Sequence, residues 1–363
     1  MPGNRVERAL ELLEELNLDA IVLLNLSYPQ VDLNFIYLLQ PETGLFEGSY
    51  LVLSKKRAVL YTYRLEEPAA KRMDAVRKGA VEVEVIEKPE QVFKSLRKFR
   101  RIGMNLKFTP ADITARVREM GVAIVDVSED FDEMRMIKDS SEVEAIQNAA
   151  RAAEKALSVV YTVDVEEASE KDLRAEIEYR MLKEGCEPAF QTIVAYDENA
   201  SIPHYTTGSR DKKPEKLVLI DLGAKCRWYV SDITRTFLLA RDKELEDVYT
   251  AVLEAQLKAI DAIKPGVKAE EPDKRAKETL KARGYPPYPH SLGHMIGLNV
   301  HEGKRLKEGE DYKLKEGMVF TVEPGVYISE KLGVRIEDDI AVEEHGAKLL
   351  TSFKKELDDI VLV

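Results

Sequence analysis

The sequence predicts an α/β domain followed by a domain of long helices and β-hairpins. Three observations predict it. Apolar residues alternate between helical and strand spacing over roughly the first 130 residues, as strands covered by helices require. Residues 217–237, LVLIDLGAKCRWYVSDITRTF, read as two apolar strands around a turn, each carrying an aspartate. No histidine precedes His204, which places the chemistry in the second half.

A chain of 363 residues is long enough for two domains with sizeable cores. Its charged fraction of 33% exceeds the ordinary value of about 25%. With only two cysteines, that leans towards a high-temperature source. A net charge of −12 argues against nucleic-acid binding, which wants a basic face. Cys186 and Cys226 are expected as reduced thiols of a cytosolic protein. The charged N-terminus lacks a signal-peptide apolar core, and no apolar run is long enough to span a membrane. A cytoplasmic location is therefore expected.

In the first domain, Val6, Ala9, Leu10, Leu13 and Leu16 share a helical face. Residues 19–24 (DAIVLL) read as a buried strand, and 50–53 and 58–63 as a strand pair around Lys55-Lys56-Arg57. Residues 66–78 pattern as one helix stopped at Gly79, and 81–85 alternate as a half-exposed strand. Short strands are expected at 101–105 and 122–127, with a helix at 110–120 between them. The boundary is placed at 135–139, dividing an α/β domain, 1–135, from a catalytic domain, 136–363.

A helix is expected from Ser140, with a capping box from Ser141 to Glu144, running to about Val160. Another covers 170–184 and ends at Gly185. Residues 190–195 suit a strand, and 197–210 a polar loop holding Pro203-His204. Helices follow at 243–263, stopped by Lys264-Pro265-Gly266, and at 271–283, stopped by Gly284. The proline-rich stretch 285–289 cannot enter a sheet interior.

Asp221 and Asp232 are eleven residues apart. Hairpin strands about 4.8 Å apart can bring two such side chains to one point. Carboxylates in apolar β sequence repel, so a cation stands between them or one holds a proton. A metal is the simplest answer. Further segments suit it. His294 lies between Gly293 and Gly297, and glycine lets backbone approach an ion closely. His301-Glu302 follows, and Glu323 and Glu337, fourteen apart, can face each other across a second hairpin. Two hairpins, each with two carboxylates, and one histidine suit two divalent ions sharing bridging carboxylates.

With these residues the sequence resembles the pita-bread metallopeptidases, the group that includes Xaa-Pro dipeptidases (prolidases) and aminopeptidase P. The resemblance is carried by IDLGAKCRWYVSDITRTF, HSLGHMIGLNVHE, EPGVY and GVRIEDD, which fall in family order. It implies an α+β C-terminal domain with a curved antiparallel sheet, flanking helices and a pseudo-two-fold. It also implies that Asp221 chelates one ion, that Asp232 and Glu337 bridge both, and that His294 and Glu323 complete the other. Hydroxide between the ions would be the nucleophile, with Glu323 taking and passing on its proton. His301 would hydrogen-bond the scissile carbonyl. His204 would meet the substrate near the leaving nitrogen. Arg305, and as a further candidate Arg335, would bind the substrate carboxylate; Arg335 equally reads as pairing a metal carboxylate. Two ions per subunit, Mn²⁺ or Co²⁺ with Fe²⁺ or Zn²⁺ tolerated, follow from an oxygen-rich ligand set. A homodimer acting on short proline-containing peptides is implied as well.

The amide before proline has no N–H, so a site using metal polarisation and end-group recognition suits it better than one that pairs an extended backbone. His290 reads equally well as pocket wall, Thr234 as a hydroxyl behind the ligands, and His345 as an exposed loop residue. Two stretches depart from the family pattern. Met295 follows His294 where glycine is usual, which would narrow the pocket or shift the histidine. Residues 195–198, Ala-Tyr-Asp-Glu, replace a smaller stretch and would reshape the entrance. The Tyr205-Thr206 pair gives weight to aminopeptidase P action on longer peptides. A catalytically silent binding protein and a metal-free hydrolase of creatine type are further alternatives, opposed by the complete ligand set.

Overall fold

The computed structural model describes residues 3–27, 30–208 and 212–362. Contacts divide the chain into units Met1–Arg135 and Met136–Val363. No helix among the described residues is long and apolar enough to cross a membrane.

The first unit is a six-stranded mixed sheet, β1 (Ala20–Leu24), β2 (Tyr50–Ser54), β3 (Ala58–Tyr63), β4 (Glu82–Ile86), β5 (Arg101–Met104) and β6 (Ala123–Asp126), in the order β4-β3-β2-β1-β5-β6. β1–β2 and β2–β3 are antiparallel; β1–β5, β3–β4 and β5–β6 are parallel. β1 is buried along its whole length, which explains its unbroken apolar run. Helices α1 (Gly3–Glu15), α2 (Leu33–Leu39), α3 (Glu67–Ala70), α4 (Asp74–Arg77), α5 (Glu90–Leu96), α6 (Ala111–Glu119) and α7 (Ser128–Met136) complete it. Val92, Phe93 and Leu96 of α5 and Val117 of α6 pack on one sheet face. The single helix expected at 66–78 is two, α3 and α4, because Met73 is extended (φ −59°, ψ 137°). Ala70, Met73 and Ala75 are all buried, and five helical positions between the outer two would point them apart.

The second unit opens with α8 (Ser140–Leu157), which presents Ile146, Ala149, Ala150, Ala153 and Ala156 inward. Its capping box is two residues earlier than expected: Asp139 accepts from the backbone of Ser141 and Glu142, and Glu142 returns to Asp139. α9 (Glu170–Lys183), α10 (Lys243–Ala262) and α11 (Glu270–Ala282) follow the expected pattern.

The strands are short and antiparallel. One sheet is β7 (Glu187–Pro188), β10 (Ala224–Cys226) and β11 (Tyr229–Val230); another is β8 (Ile193–Tyr196), β9 (Leu217–Leu222) and β12 (Ile233–Leu238). The rest are the pair β13 (Gly293–His294) and β14 (Arg305–Leu306), the trio β15 (Val319–Val322), β18 (Asp338–Glu343) and β19 (Gly346–Leu349), and the hairpin β16 (Gly325–Ile328) and β17 (Leu332–Arg335). One apolar cluster joins α8, α9, α10 and these strands. Ser209 and Arg210 of the expected polar loop lie outside the described residues.

The cysteines correct the sequence reading. β10 pairs with β7 so that Cys226 falls opposite Cys186, and the two form a disulfide with Cα atoms 4.7 Å apart. Their 40-residue separation hid this; only the sheet register brings them together.

Candidate metal centre

Each carboxylate stands where a strand ends. β9 and β12 pair with Thr234, not Asp232, opposite Asp221. Between them the chain leaves the ladder through β10 and β11, turning at Arg227 (φ 47°) and Trp228 (φ 77°). The second of the two strands expected within residues 217–237 is thus interrupted at Ser231-Asp232. Gly223 permits this, since a Cβ there would lie 2.2 Å from the Ser231 carbonyl oxygen. Likewise Glu323 follows β15 and Glu337 precedes β18; the terminal pair Val322–Asp338 sets the two glutamates side by side. The hairpin β16–β17 fills the interval. Gly293 serves contact between strands rather than approach to an ion: its Cβ would lie 1.9 Å from the Thr321 carbonyl oxygen.

Thr234 stitches the two halves. Its hydroxyl donates to Glu337 Oε2 at 2.7 Å, and its carbonyl accepts the Glu337 N–H at 3.1 Å. The Asp232 N–H in turn donates to Asp339 Oδ2 at 3.0 Å. Ligand atoms of Asp232, His294 and Glu337, all buried, lie within 4.8 Å of one another. His294 Nε2 is 3.5 Å from Glu323 Oε1 and 3.7 Å from Asp232 Oδ2. Asp221 Oδ2 accepts from Arg335 Nη2 at 2.5 Å.

The electrostatics call for positive charge among these groups. Burial, then the Glu337 charge, raises the Asp232 carboxyl well above its ordinary value. Burial and Glu337 do the same to Glu323. Glu337 is pushed up to about 8 by burial and by Asp221. His294 is lowered to about 3, mainly by burial and then by His301, which keeps a neutral lone pair on the ring. Asp221 Oδ1 and Asp232 Oδ1 are buried without a hydrogen-bond partner. Clustered carboxylates with orphaned oxygens beside a neutral imidazole fit divalent cations.

The other site residues surround this cluster. The His301 ring centroid is 4.3 Å from that of His294, and burial, then Arg305, lowers its pKa. Its loop is pinned by Glu302, which takes the Lys138 ammonium at 2.9 Å and the Leu298 N–H at 3.3 Å. His204 is exposed in a turn whose Pro203 carbonyl faces Arg335 Nη1 at 3.5 Å. Arg305 is exposed and pairs in register with His294. Arg335 is not a free carboxylate clamp. It is 3% exposed, and besides Asp221 its guanidinium donates to Thr234 Oγ1 at 3.1 Å and to the Tyr327 hydroxyl at 3.0 Å.

Three further expectations change. Met295 does not narrow the pocket: it is fully buried, with its sulfur 3.1 Å from where a Cβ on Gly303 would sit. Tyr196 is buried, and Asp197 (φ 52°) accepts the N–H groups of Glu215, Lys216 and Leu217. That stretch anchors the start of β9 rather than shaping an entrance. The Tyr205 hydroxyl turns inward to Glu170 Oε2 at 2.8 Å, so it offers nothing to a longer peptide. Sequence reasoning gave no role to Tyr327, which also meets His290 Nε2 at 3.0 Å, or to Asp339. Both stand inside the quoted motifs, EPGVY and GVRIEDD, and that was their only signal.

Residues 144–344 match metallopeptidase family M24, and residues 5–137 match the Creatinase/Prolidase N-terminal domain. The chain belongs to family M24. An Xaa-Pro dipeptidase from Pyrococcus horikoshii is 33% identical over 98% of this chain and 99% of its own. One from Pyrococcus furiosus is 33% identical over 97% and 99%. Among solved structures, X-Pro aminopeptidase from Thermotoga maritima superposes with a TM-score of 0.88 at 31% identity, covering 97% of this chain and 99% of that one. Prolidase from Pyrococcus furiosus gives 0.83 at 33%, covering 95% and 99%. The Met136–Val363 unit of this M24 member has the pita-bread fold, and membership of the family implies divalent metal ions.

Proposed function

We propose that this M24 member hydrolyses the Xaa-Pro bond of dipeptides with two divalent ions, Mn²⁺ or Co²⁺ by preference. What carries the reading is the convergence of Asp232, His294 and Glu337 beside orphaned carboxylate oxygens. It occurs in a chain that aligns end to end with Xaa-Pro dipeptidases. Asp221, Asp232 and Glu337 would hold one ion; Asp232, Glu337, His294 and Glu323 would hold the other. Bound there, divalent ions supply Lewis-acid polarisation of the peptide carbonyl and acidify water towards neutral pH.

The protein's own groups do the rest. Glu323 takes a proton from the attacking water and returns it to the proline nitrogen. His301 donates to the carbonyl oxygen as it gains charge. His204 orients the substrate near the leaving nitrogen, and Arg305 pairs with the substrate carboxylate. Arg335 aims Asp221 through the hydrogen bond to its Oδ2 rather than touching substrate. The same family reading carries a cytoplasmic homodimer, which sedimentation velocity and fractionation check.

One observation favours a second reading, aminopeptidase action on longer peptides: the close superposition on the Thermotoga maritima X-Pro aminopeptidase. Turnover of an Xaa-Pro dipeptide and the corresponding Xaa-Pro-Yaa tripeptide decides between them. The dipeptidase reading expects kcat/KM at least about tenfold higher for the dipeptide, the loss when a bound end group is misplaced. Equal or faster cleavage of the tripeptide selects the aminopeptidase.

A further inference from the structure

Helix α10 lays an apolar stripe on the sheet: Leu245, Val248, Tyr249, Val252, Ala255 and Ala259 are buried at helical spacing. Gln256 interrupts this stripe and is fully buried. A buried amide costs desolvation that leucine or methionine at this position would avoid, so its partners matter. Its Nε2 lies 3.2 Å from the Val322 carbonyl oxygen, 3.2 Å from that of Ile336, and 3.0 Å from Asp338 Oδ2. Lys355 Nζ donates to its Oε1 at 2.8 Å. An ammonium can only donate, so this contact sets the amide orientation and turns the NH₂ towards the three acceptors.

Two of those acceptors have a common meaning in the sequence. Val322 immediately precedes Glu323, and Ile336 immediately precedes Glu337. Ile336 and Glu337 lie between β17 and β18, outside any strand, so regular pairing does not hold them. Their N–H groups donate to the Pro324 and Thr234 carbonyls at 3.4 and 3.1 Å, and side chains from behind take their carbonyls. Gln256 takes the Ile336 carbonyl, and Arg235 Nη1 takes the Glu337 carbonyl at 2.6 Å. Asp338 anchors both, receiving Arg235 Nη2 at 2.7 Å and Lys355 Nζ at 2.6 Å.

We propose that Gln256 is a positioning residue whose side-chain amide ties together the backbone ahead of Glu323 and Glu337 and so fixes the spacing of these two carboxylates for divalent ions. The proposal rests on the metal reading above. It assigns Gln256 no contact with substrate or ion.

The test uses full-length protein stripped by a chelator, as wild type, Gln256→Met and Val248→Ala. Methionine nearly conserves volume and packing but cannot donate. Val248→Ala leaves a cavity under the same helix without touching the clamp. Calorimetric titration with Mn²⁺ reads ion affinity, thermal melting of the metal-free protein reads stability, and dipeptide kinetics at saturating Mn²⁺ read KM and kcat. In Gln256→Met the Mn²⁺ dissociation constant is expected to rise about tenfold or more, the usual effect of losing a group behind the ligands. KM is expected to stay unchanged. In Val248→Ala the melting temperature is expected to fall with wild-type Mn²⁺ affinity. Should Gln256→Met fail to fold, Lys355→Met, which releases the amide orientation from the rim, is expected to weaken Mn²⁺ in the same direction. Wild-type Mn²⁺ affinity in the folded clamp variant, or affinity losses that merely track melting temperature in both helix variants, overturns the proposal. Failure of the wild type itself to bind Mn²⁺ overturns the metal reading and the clamp with it.

Discussion

At the scale of single residues, Asp232, just before β12, and Thr234, within it, carry unequal weight. Asp232 is a ligand candidate with an orphaned oxygen, whereas Thr234 acts through its 2.7 Å hydrogen bond to Glu337. Asp232→Asn exchanges a carboxylate oxygen that would bridge two ions for an amide. Thr234→Ala removes the hydrogen bond to Glu337 and the one accepted from Arg335 Nε, each worth about 1.5–3 kcal/mol. Asp232→Asn is therefore expected to lose the larger share of kcat, by at least about a further factor of ten. Comparable activity of the two variants at saturating metal would refute the bridging role.

Elements explain why such residues meet. The excursion β10–β11 moves Asp232 out of the ladder and brings Cys226 opposite Cys186. The disulfide thus braces the same segment that delivers Asp232. It closes a loop with a sequence separation of 40, for which loss of the cross-link costs about 2–4 kcal/mol by chain entropy. Adding reductant to wild type is expected to lower the urea midpoint accordingly, and to leave the Cys186→Ser, Cys226→Ser double variant unmoved. An unmoved wild-type midpoint, with free thiols confirmed by titration, would show that the cross-link does not stabilise the fold. On the other side of the site, Lys138 and Glu302 have side chains 1% and 6% exposed. Such a buried pair cannot lose one partner without stranding the other, and it holds the loop that carries His301.

For the whole molecule, buried ionisable groups make stability depend on pH. His290 sits between the Ser291 carbonyl and the Tyr327 hydroxyl, and burial lowers its pKa from 6.5 to about 4. The unfolded chain therefore binds a proton between those values that the native protein refuses. This stability is fully present above about pH 6.5 and is lost as pH falls towards 4. The fall from 6.5 to about 4 makes this loss on the order of 3 kcal/mol. His290→Gln is expected to flatten the stability profile between pH 6.5 and 4 relative to wild type, read by urea unfolding at each pH. Parallel profiles for the two proteins would rule out this assignment.

Much of this was legible in the amino-acid order. Periodicity placed β1, α8, α9 and α10 because a half-buried element must repeat its apolar residues at its own period. Motif spacing brought out Asp221, Asp232, His294, Glu323 and Glu337, because carboxylates in apolar strands need a counter-charge. What the sequence could not decide were contacts across long separations. Arg335 read equally as meeting substrate or pairing a metal carboxylate, and its pairing with Asp221, 114 residues away, is what the fold selects. Met295 was expected to narrow the pocket and is instead fully buried in the core. The Cys186–Cys226 pairing, the inward turn of Tyr205 and the clamp at Gln256 arise only from register and packing. Local order determines which elements form and which chemistry they carry. Tertiary structure decides which charged group each one meets, since that depends on neighbours the chain supplies from far away.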